Sequence, residues 1–250
     1  TIGSRWYTFA QPPPMTWDYI SLGDSLCADD YIGTPDAGAA ALLFRNEDSL
    51  WPEYSGRDLV SHFPKARHVD LHANGATVED VWKLQARSVS QYPDAKLATL
   101  AVGANDLMMI VDTFAPETGW VDEVKLDRAL AKLSEHLDAT IATVRKELPV
   151  ADILVCSFFD PNDGRGTNKA WKTWPGLTQT LARLNDALKA TCQTYCAELI
   201  DLHAAFRAHA KSPLKSEPLL LRVVEPTAHG AHVIRSAWWQ RLVALGRVVE

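Results

Sequence analysis

Asp18-Tyr19-Ile20-Ser21-Leu22-Gly23-Asp24-Ser25-Leu26 is the stretch on which the reading of this chain turns. Asp18 to Leu22 has the length and apolar content of a buried strand, and Gly23 ends it with a residue suited to a sharp turn. A serine therefore stands just past the carboxyl end of a strand, where open parallel sheets usually hold their ligands. A second apolar run, Leu97 to Val102, stops at Gly103 and leads into Ala104-Asn105-Asp106. Further strands are predicted at Ala151 to Phe159 and at Leu199 to Leu202.

Helical patterns fill the intervals. Thr77 can cap a helix after Asn74-Gly75-Ala76, with Asp80 completing a weak capping pattern, and Val78, Val81, Trp82 and Val89 share most of one face. Leu126, Leu130, Leu133, Leu137, Ile141, Val144 and Leu148 recur at three- and four-residue spacing, predicting a helix over roughly 121–148. Leu177, Leu181, Leu184, Leu188 and Tyr195 predict another over about 177–197, and a last one is expected over about 227–245. Asp29 to Pro64 reads as a long loop with short helical pieces. Residues 1–15, which include Pro12 to Pro14, read as an extended lead-in. Strands alternating with helices argue for an α/β fold, a parallel sheet covered on both faces. No repeat or linker divides the chain, so one domain over 1–250 is expected.

Composition narrows the function. At 47% hydrophobic and 22% charged, the chain is ordinary for a globular protein. A net charge of −6 with scattered Lys and Arg offers no basic surface for nucleic acid. No apolar run reaches the ~18 residues of a membrane span, and Thr1 to Met15 lack the pattern of a signal peptide. Four cysteines are too few for a disulfide framework at this length. Cys27, Cys156, Cys192 and Cys196 are read as buried structural thiols, the last two within the predicted helix. A reducing, cytoplasmic setting is expected, with secretion left open if a leader was removed. No CxxC or HExxH occurs, and Asp163-Gly164-Arg165-Gly166 does not follow a strand with nucleotide-binding spacing. No metal or cofactor is expected.

Gly23-Asp24-Ser25-Leu26, then Gly75 before a helix, then Gly103-Ala104-Asn105-Asp106 resemble the first three motif blocks of the GDSL-type (SGNH) serine hydrolases. Singly, each can be no more than a strand-ending turn or a cap. In order and at strand ends, they carry the resemblance across most of the chain. It implies a three-layer flavodoxin-like fold, with Ser25 as nucleophile and its own N–H as one oxyanion donor. Gly75 would add its backbone N–H, and Asn105 its side-chain amide. Preorganised donors of this kind stabilise the charge on a tetrahedral acyl intermediate by roughly 3 kcal/mol each. The segment Ala39 to Leu59 is similar to a bacterial subgroup described mostly as lipases or esterases.

The fourth block of that family is DxxHP, supplying acid and base. Aligning on Pro226, Gly230 and the final helix puts Arg222 in the aspartate position and Glu225 in the histidine position. Without a base, serine is a poor nucleophile. Three readings stay open. Glu225 could be the base, its pKa raised by burial from the usual ~4.3. His229 or His232, three apart on one helical face, could reach in with Glu225 orienting it. Or hydrolysis could be lost. Both histidines can also be plain solvated residues at a helix start. His203 is read as structural, and His62, His68, His72 and His136 as residues without special company. Trp51, Trp120, Trp171 and Trp174, in expected loops, could line an acyl pocket or anchor loops.

The leading expectation is a serine-dependent hydrolase or acyltransferase acting on a small or lipid-like acyl ester through an acyl-enzyme on Ser25. An SGNH-fold enzyme of non-hydrolytic chemistry in specialised metabolism comes second, and a non-catalytic ligand-binding member third. No oligomeric state follows from the sequence.

Overall fold

Five strands form one parallel sheet in the computed structural model, which describes residues 17–114, 122–164, 176–211, 217–221 and 223–250. They are β1 (Asp18–Gly23), β2 (Arg67–Asp70), β3 (Leu97–Ala101), β4 (Asp152–Cys156) and β5 (Glu198–Ile200), in the order β2-β1-β3-β4-β5. The register pairs Asp18 with Arg67, Gly23 with Ala101 and Leu154 with Glu198. The lead-in at 1–15, Arg222, the Arg165-Gly166 pair and the tryptophans at 120, 171 and 174 lie outside the described residues.

Successive side chains of a strand point to opposite faces, and here both faces are covered. Ile20, Leu22, Ala98, Leu100, Ile153 and Val155 enter one core. Above them lie a segmented helix over 78–91, α5 (Ala104–Phe114), α6 (Glu123–Glu147) and α7 (Leu177–Thr194). Tyr19, Leu97, Ala101, Leu154 and Cys156 enter the other core. It is closed by α1 (Ala39–Phe44), α8 (Leu202–Lys211) and α9 (Ala228–Ala244), with Leu59 of the short α2 (Leu59–His62). This is the expected three-layer α/β architecture with the flavodoxin-like strand order. The predicted leucine stripe of α6 is buried in full, each residue stabilising the packing by about 1.5–3 kcal/mol.

Several local expectations change. β2, Arg-His-Val-Asp, carries no apolar run because it is a partly exposed edge strand, and its Arg67 Nε bonds Asp18 Oδ1 at 2.9 Å. Leu202 opens α8 instead of ending a strand, and α5 begins directly after Gly103. The helix α7 stops at Thr194, so Cys196 (φ 51°) is exposed and is not a buried thiol, whereas Cys27, Cys156 and Cys192 are buried. The helix over 78–91 is not uniform. It runs through α3 (Val78–Asp80), a π turn (Val81–Gln85), α4 (Ala86–Ser88) and a 3-10 turn (Val89–Gln91). Thr77 and Asp80 complete its reciprocal capping box. Among the described residues, no helix is long and apolar enough to cross a membrane.

Candidate active site at the β1/β3 switch point

In a sheet of this order, the chain leaves β1 and β3 toward opposite faces, and a crevice opens at their carboxyl ends. Ser25 stands there, on a turn that begins as β1 ends. Gly23 makes the turn possible: its φ is 135°, and a Cβ would overlap the Ala101 carbonyl oxygen. Asp24 N–H bonds Ala101 O at 3.0 Å, and Asp24 Oδ1 accepts from Leu26 N–H at 3.0 Å, a short side-chain turn that holds Ser25 between them. Ser25 is only 3% exposed. Among the described residues, none bonds its hydroxyl or its N–H.

The other two motif residues flank it. Ala73 N–H bonds Gly23 O at 3.1 Å, which brings the 73–76 turn alongside the end of β1. Gly75, at φ 73°, is the exposed tip of that turn. From the β3 side, Asn105 in the first turn of α5 donates from Nδ2 to Ala76 O at 3.1 Å. Asp106 Oδ2 accepts from Val78 N–H at 3.0 Å. The second and third motif blocks are thus hydrogen-bonded to each other. The N–H of Ser25, the N–H of Gly75 and the second Nδ2 hydrogen of Asn105 have no acceptor among the described residues.

The fourth segment folds back as a tight hairpin. Leu220 pairs with Pro226, Leu221 N–H bonds Glu225 O at 2.8 Å, and Thr227 N–H bonds Leu219 O at 2.9 Å. Val224 is buried in an apolar crevice with Leu26, Val102, Ala104, Leu107 and Phe158, whose free volume is about 10 Å³. That is room for about one water. Next to it, Glu225 is half-buried, and its Oε2 is enclosed without a partner among the described residues. Asp24 is wholly buried with Oδ2 likewise unpartnered. Burial raises its carboxyl to about 7, with the Asp106 and Glu225 charges pushing the same way and the Leu26 N–H opposing them.

The histidines of α9 are placed differently from one another. His232 is not solvated. It stacks on Trp51 at 3.8 Å, meets the Tyr54 ring edge-on at 4.5 Å and accepts at Nδ1 from Arg235 Nε at 3.3 Å. Burial and the Arg235 charge lower it to about 3, so it is a neutral acceptor. His229 lies 6.3 Å from the His232 ring, so the two do not support each other. Its neighbours are His209 at 5.2 Å and Trp51 at 5.8 Å, and burial with the His209 charge lowers its pKa. Arg235 is fully buried under this cluster, donating to Asn46 Oδ1 (2.6 Å) and Arg57 O (3.2 Å) and lying over Tyr54 at 4.0 Å. Trp51 therefore anchors the 46–57 segment to α9, and among the described residues no tryptophan lines the apolar crevice.

Two features escaped the sequence reading. His68 Nε2 and His72 Nδ1 converge on the buried Ser21 hydroxyl at 2.9 and 3.2 Å, and His72 Nδ1 lies 2.6 Å from Asp70 Oδ1. These histidines do have company. Burial lowers His68 to about 4. Secondly, Gln85 accepts from Gly23 N–H at 2.8 Å and donates to Gly23 O at 2.9 Å. A polar residue on the apolar stripe of Val78, Val81 and Val89 was the available signal. His203, by contrast, donates its backbone N–H to Ser157 Oγ at 3.2 Å on α8. Among the described residues, no three His, Cys, Asp or Glu side chains are grouped to hold a metal ion.

Comparison with known proteins agrees with this fold. The chain resembles in fold a lipase from a goat rumen metagenome (TM-score 0.64, 16% identity, 89% of this chain and 96% of that one). It also resembles an acetylxylan esterase from Geobacillus stearothermophilus (TM-score 0.63, 16% identity, 92% and 96%). A third likeness is to an α/β hydrolase from the metagenome of Lake Arreo, Spain (TM-score 0.62, 17% identity, 92% and 95%). No curated protein matches in sequence. The model of the GDSL-like lipase/acylhydrolase family matches residues 21–232, from within β1 to His232. The chain belongs to the GDSL-like lipase/acylhydrolase family and is a hydrolase of the esterase/lipase type.

Proposed function

We propose that the protein cleaves or transfers the acyl group of a small ester through an acyl-enzyme on Ser25. The observation that supports this reading is Ser25 at the β1/β3 switch point, with its own N–H, the Gly75 N–H and one Asn105 amide hydrogen all without an acceptor among the described residues. Buried N–H groups without a partner are rare, which singles out the N–H of Ser25, 3% exposed, whereas Gly75 is open to water. In this reading, the acyl carbonyl oxygen lies among the Ser25 N–H, the Gly75 N–H and the Asn105 amide. Ser25 Oγ attacks the carbonyl carbon, its proton passes to a base, and the developing oxyanion is met by the three donors. The same base then protonates the departing alkoxide. Water, or an acceptor alcohol in the case of transfer, attacks the acyl-serine with the base taking its proton; the bond to Ser25 Oγ then breaks, and the base returns the proton to Oγ as the acid or new ester leaves.

Glu225 is the base this reading favours over His229. Val224 shares a crevice with Leu26, the Glu225 charge acts on the buried Asp24 carboxyl, and Glu225 Oε2 is enclosed without a partner among the described residues. His229 instead faces His209 and Trp51. The crevice beside Leu26 and Ala104, with room for about one water, offers no space for a long acyl chain, and this reading takes a short acyl group, acetyl. A panel of p-nitrophenyl esters tests both points. Wild type should turn over the acetyl ester, Ser25→Ala should not, and its melting curve should stay in place. Turnover that survives Ser25→Ala removes the serine from the mechanism and favours another chemistry on this fold.

A further inference from the structure

Gln85 belongs to none of the motif blocks, yet its amide grips the backbone on which the nucleophile turn depends. The side chain comes from the π turn Val81–Gln85, a form that in helices often marks functional positions. It lies on the buried side with Val81 and Ala86, 7% exposed, and it spends both ends of its amide on one residue. Oε1 accepts from Gly23 N–H, and Nε2 donates to Gly23 O. Gly23 O also accepts from Ala73 N–H, the bond that brings in the turn carrying Gly75. One side chain therefore fixes the last residue of β1, two positions before Ser25, and the junction to the Gly75 turn.

That junction needs fixing. Gly23 has a φ of 135°, and a glycine here has no side chain to hold it in the conformation that turns the chain toward Ser25. The main-chain pairing with β3 ends at the bond from Asp24 N–H to Ala101 O, and beyond it the Asp24–Leu26 turn, with the Gln85 amide behind it, helps to set the direction of the serine.

We propose that Gln85 is a positioning residue for the acyl transfer: its two-bond clamp on Gly23 holds Ser25 and the Gly75 N–H in register with the reacting carbonyl. This rests on the Ser25 reading above. Small displacements of a nucleophile cost rate far more than binding. The effect should therefore fall on the rate of the covalent step and leave the affinity for substrate almost unchanged.

The test is the labelling kinetics of Ser25 by a fluorophosphonate, read as the maximal rate and the half-saturating probe concentration. Gln85→Met keeps shape and loses both bonds; its maximal rate should fall about tenfold or more with half-saturation within about twofold. Gln85→Glu keeps an acceptor for Gly23 N–H but not a donor for Gly23 O, and should fall between Gln85→Met and wild type. Val89→Ala, on the same helix and away from Gly23, should lower the melting temperature and leave the labelling rate unchanged. A Gln85→Met rate within twofold of wild type overturns the proposal, as does an equal slowing in Val89→Ala. Should Gln85→Met fail to fold, Gln85→Glu decides alone, and a rate within twofold of wild type overturns it. A folded wild type that takes no label overturns the Ser25 reading and this inference with it. A labelled wild type with an indifferent Gln85 overturns only the clamp.

Discussion

Replacing Asn105 by alanine removes two interactions of different size, and the difference makes the experiment informative. The first is the part-buried bond from Nδ2 to Ala76 O at 3.1 Å. A bond of this kind contributes about 1 kcal/mol net, or about 2–4 °C of melting temperature in a protein of this size. The second is the amide hydrogen without an acceptor, assigned to the oxyanion. A preorganised donor of that type is worth about 3 kcal/mol in the transition state, which converts to a fall in kcat of roughly 100-fold. Steady-state hydrolysis of p-nitrophenyl acetate through saturation, with melting curves at the same pH, separates the two. The expected result is a large loss in kcat, a KM within a few-fold of wild type, and a small drop in melting temperature. Asn105→Asp, of the same shape but unable to donate, should lose at least as much. A kcat for Asn105→Ala within a factor of two of wild type would refute the oxyanion role.

Asp24 should make stability depend on pH in an unusual direction. Its carboxyl is held near 7 in the folded protein, against about 3.9 unfolded. Between those values the folded state binds more protons, so this group's contribution falls as pH rises from about 4 to about 7, by on the order of 4 kcal/mol. Asp24→Asn should gain on wild type across that window in thermal melts, and a constant difference would contradict the assignment. Arg235→Met strands Asn46 Oδ1 and Arg57 O under Trp51. It should cost about 3 kcal/mol or more and shift Trp51 emission toward the red; unchanged melting would mean that the guanidinium does not hold the 46–57 segment. Glu225→Gln should abolish turnover and His229→Gln should not. The reverse outcome would move the base to His229, whose pKa is lowered by burial and the His209 charge, so its acid limb of kcat/KM would lie below about 6.5.

The sheet was legible because β1, β3 and β4 are buried on both faces and so read as apolar runs. β2 was hidden for the opposite reason: at an edge, Arg67, His68 and Asp70 satisfy water, a salt bridge and the Ser21 hydroxyl in place of a core. α5 was obscured because Gly103-Ala104-Asn105-Asp106 drew attention as a motif while the helix began inside it. Ser25 and Asn105 could be located past β1 and β3, whose apolar runs are readable, and Gly75 only from the helix start that Thr77 caps, because the β2 before it was hidden. The base could not, because its identity depends on how the 219–227 hairpin folds back, a tertiary matter set by Val224 and Leu219. His232 looked like a surface histidine and is buried, since its ring partners Trp51 and Tyr54 come from a segment remote in sequence.

Reaction of the folded protein with a fluorophosphonate, followed by peptide mass spectrometry, tests the central claim most directly. The account predicts a single label on Ser25, slowed in Asn105→Ala and lost in Glu225→Gln. A folded protein that remains unlabelled, or that carries the label on another serine, would contradict it.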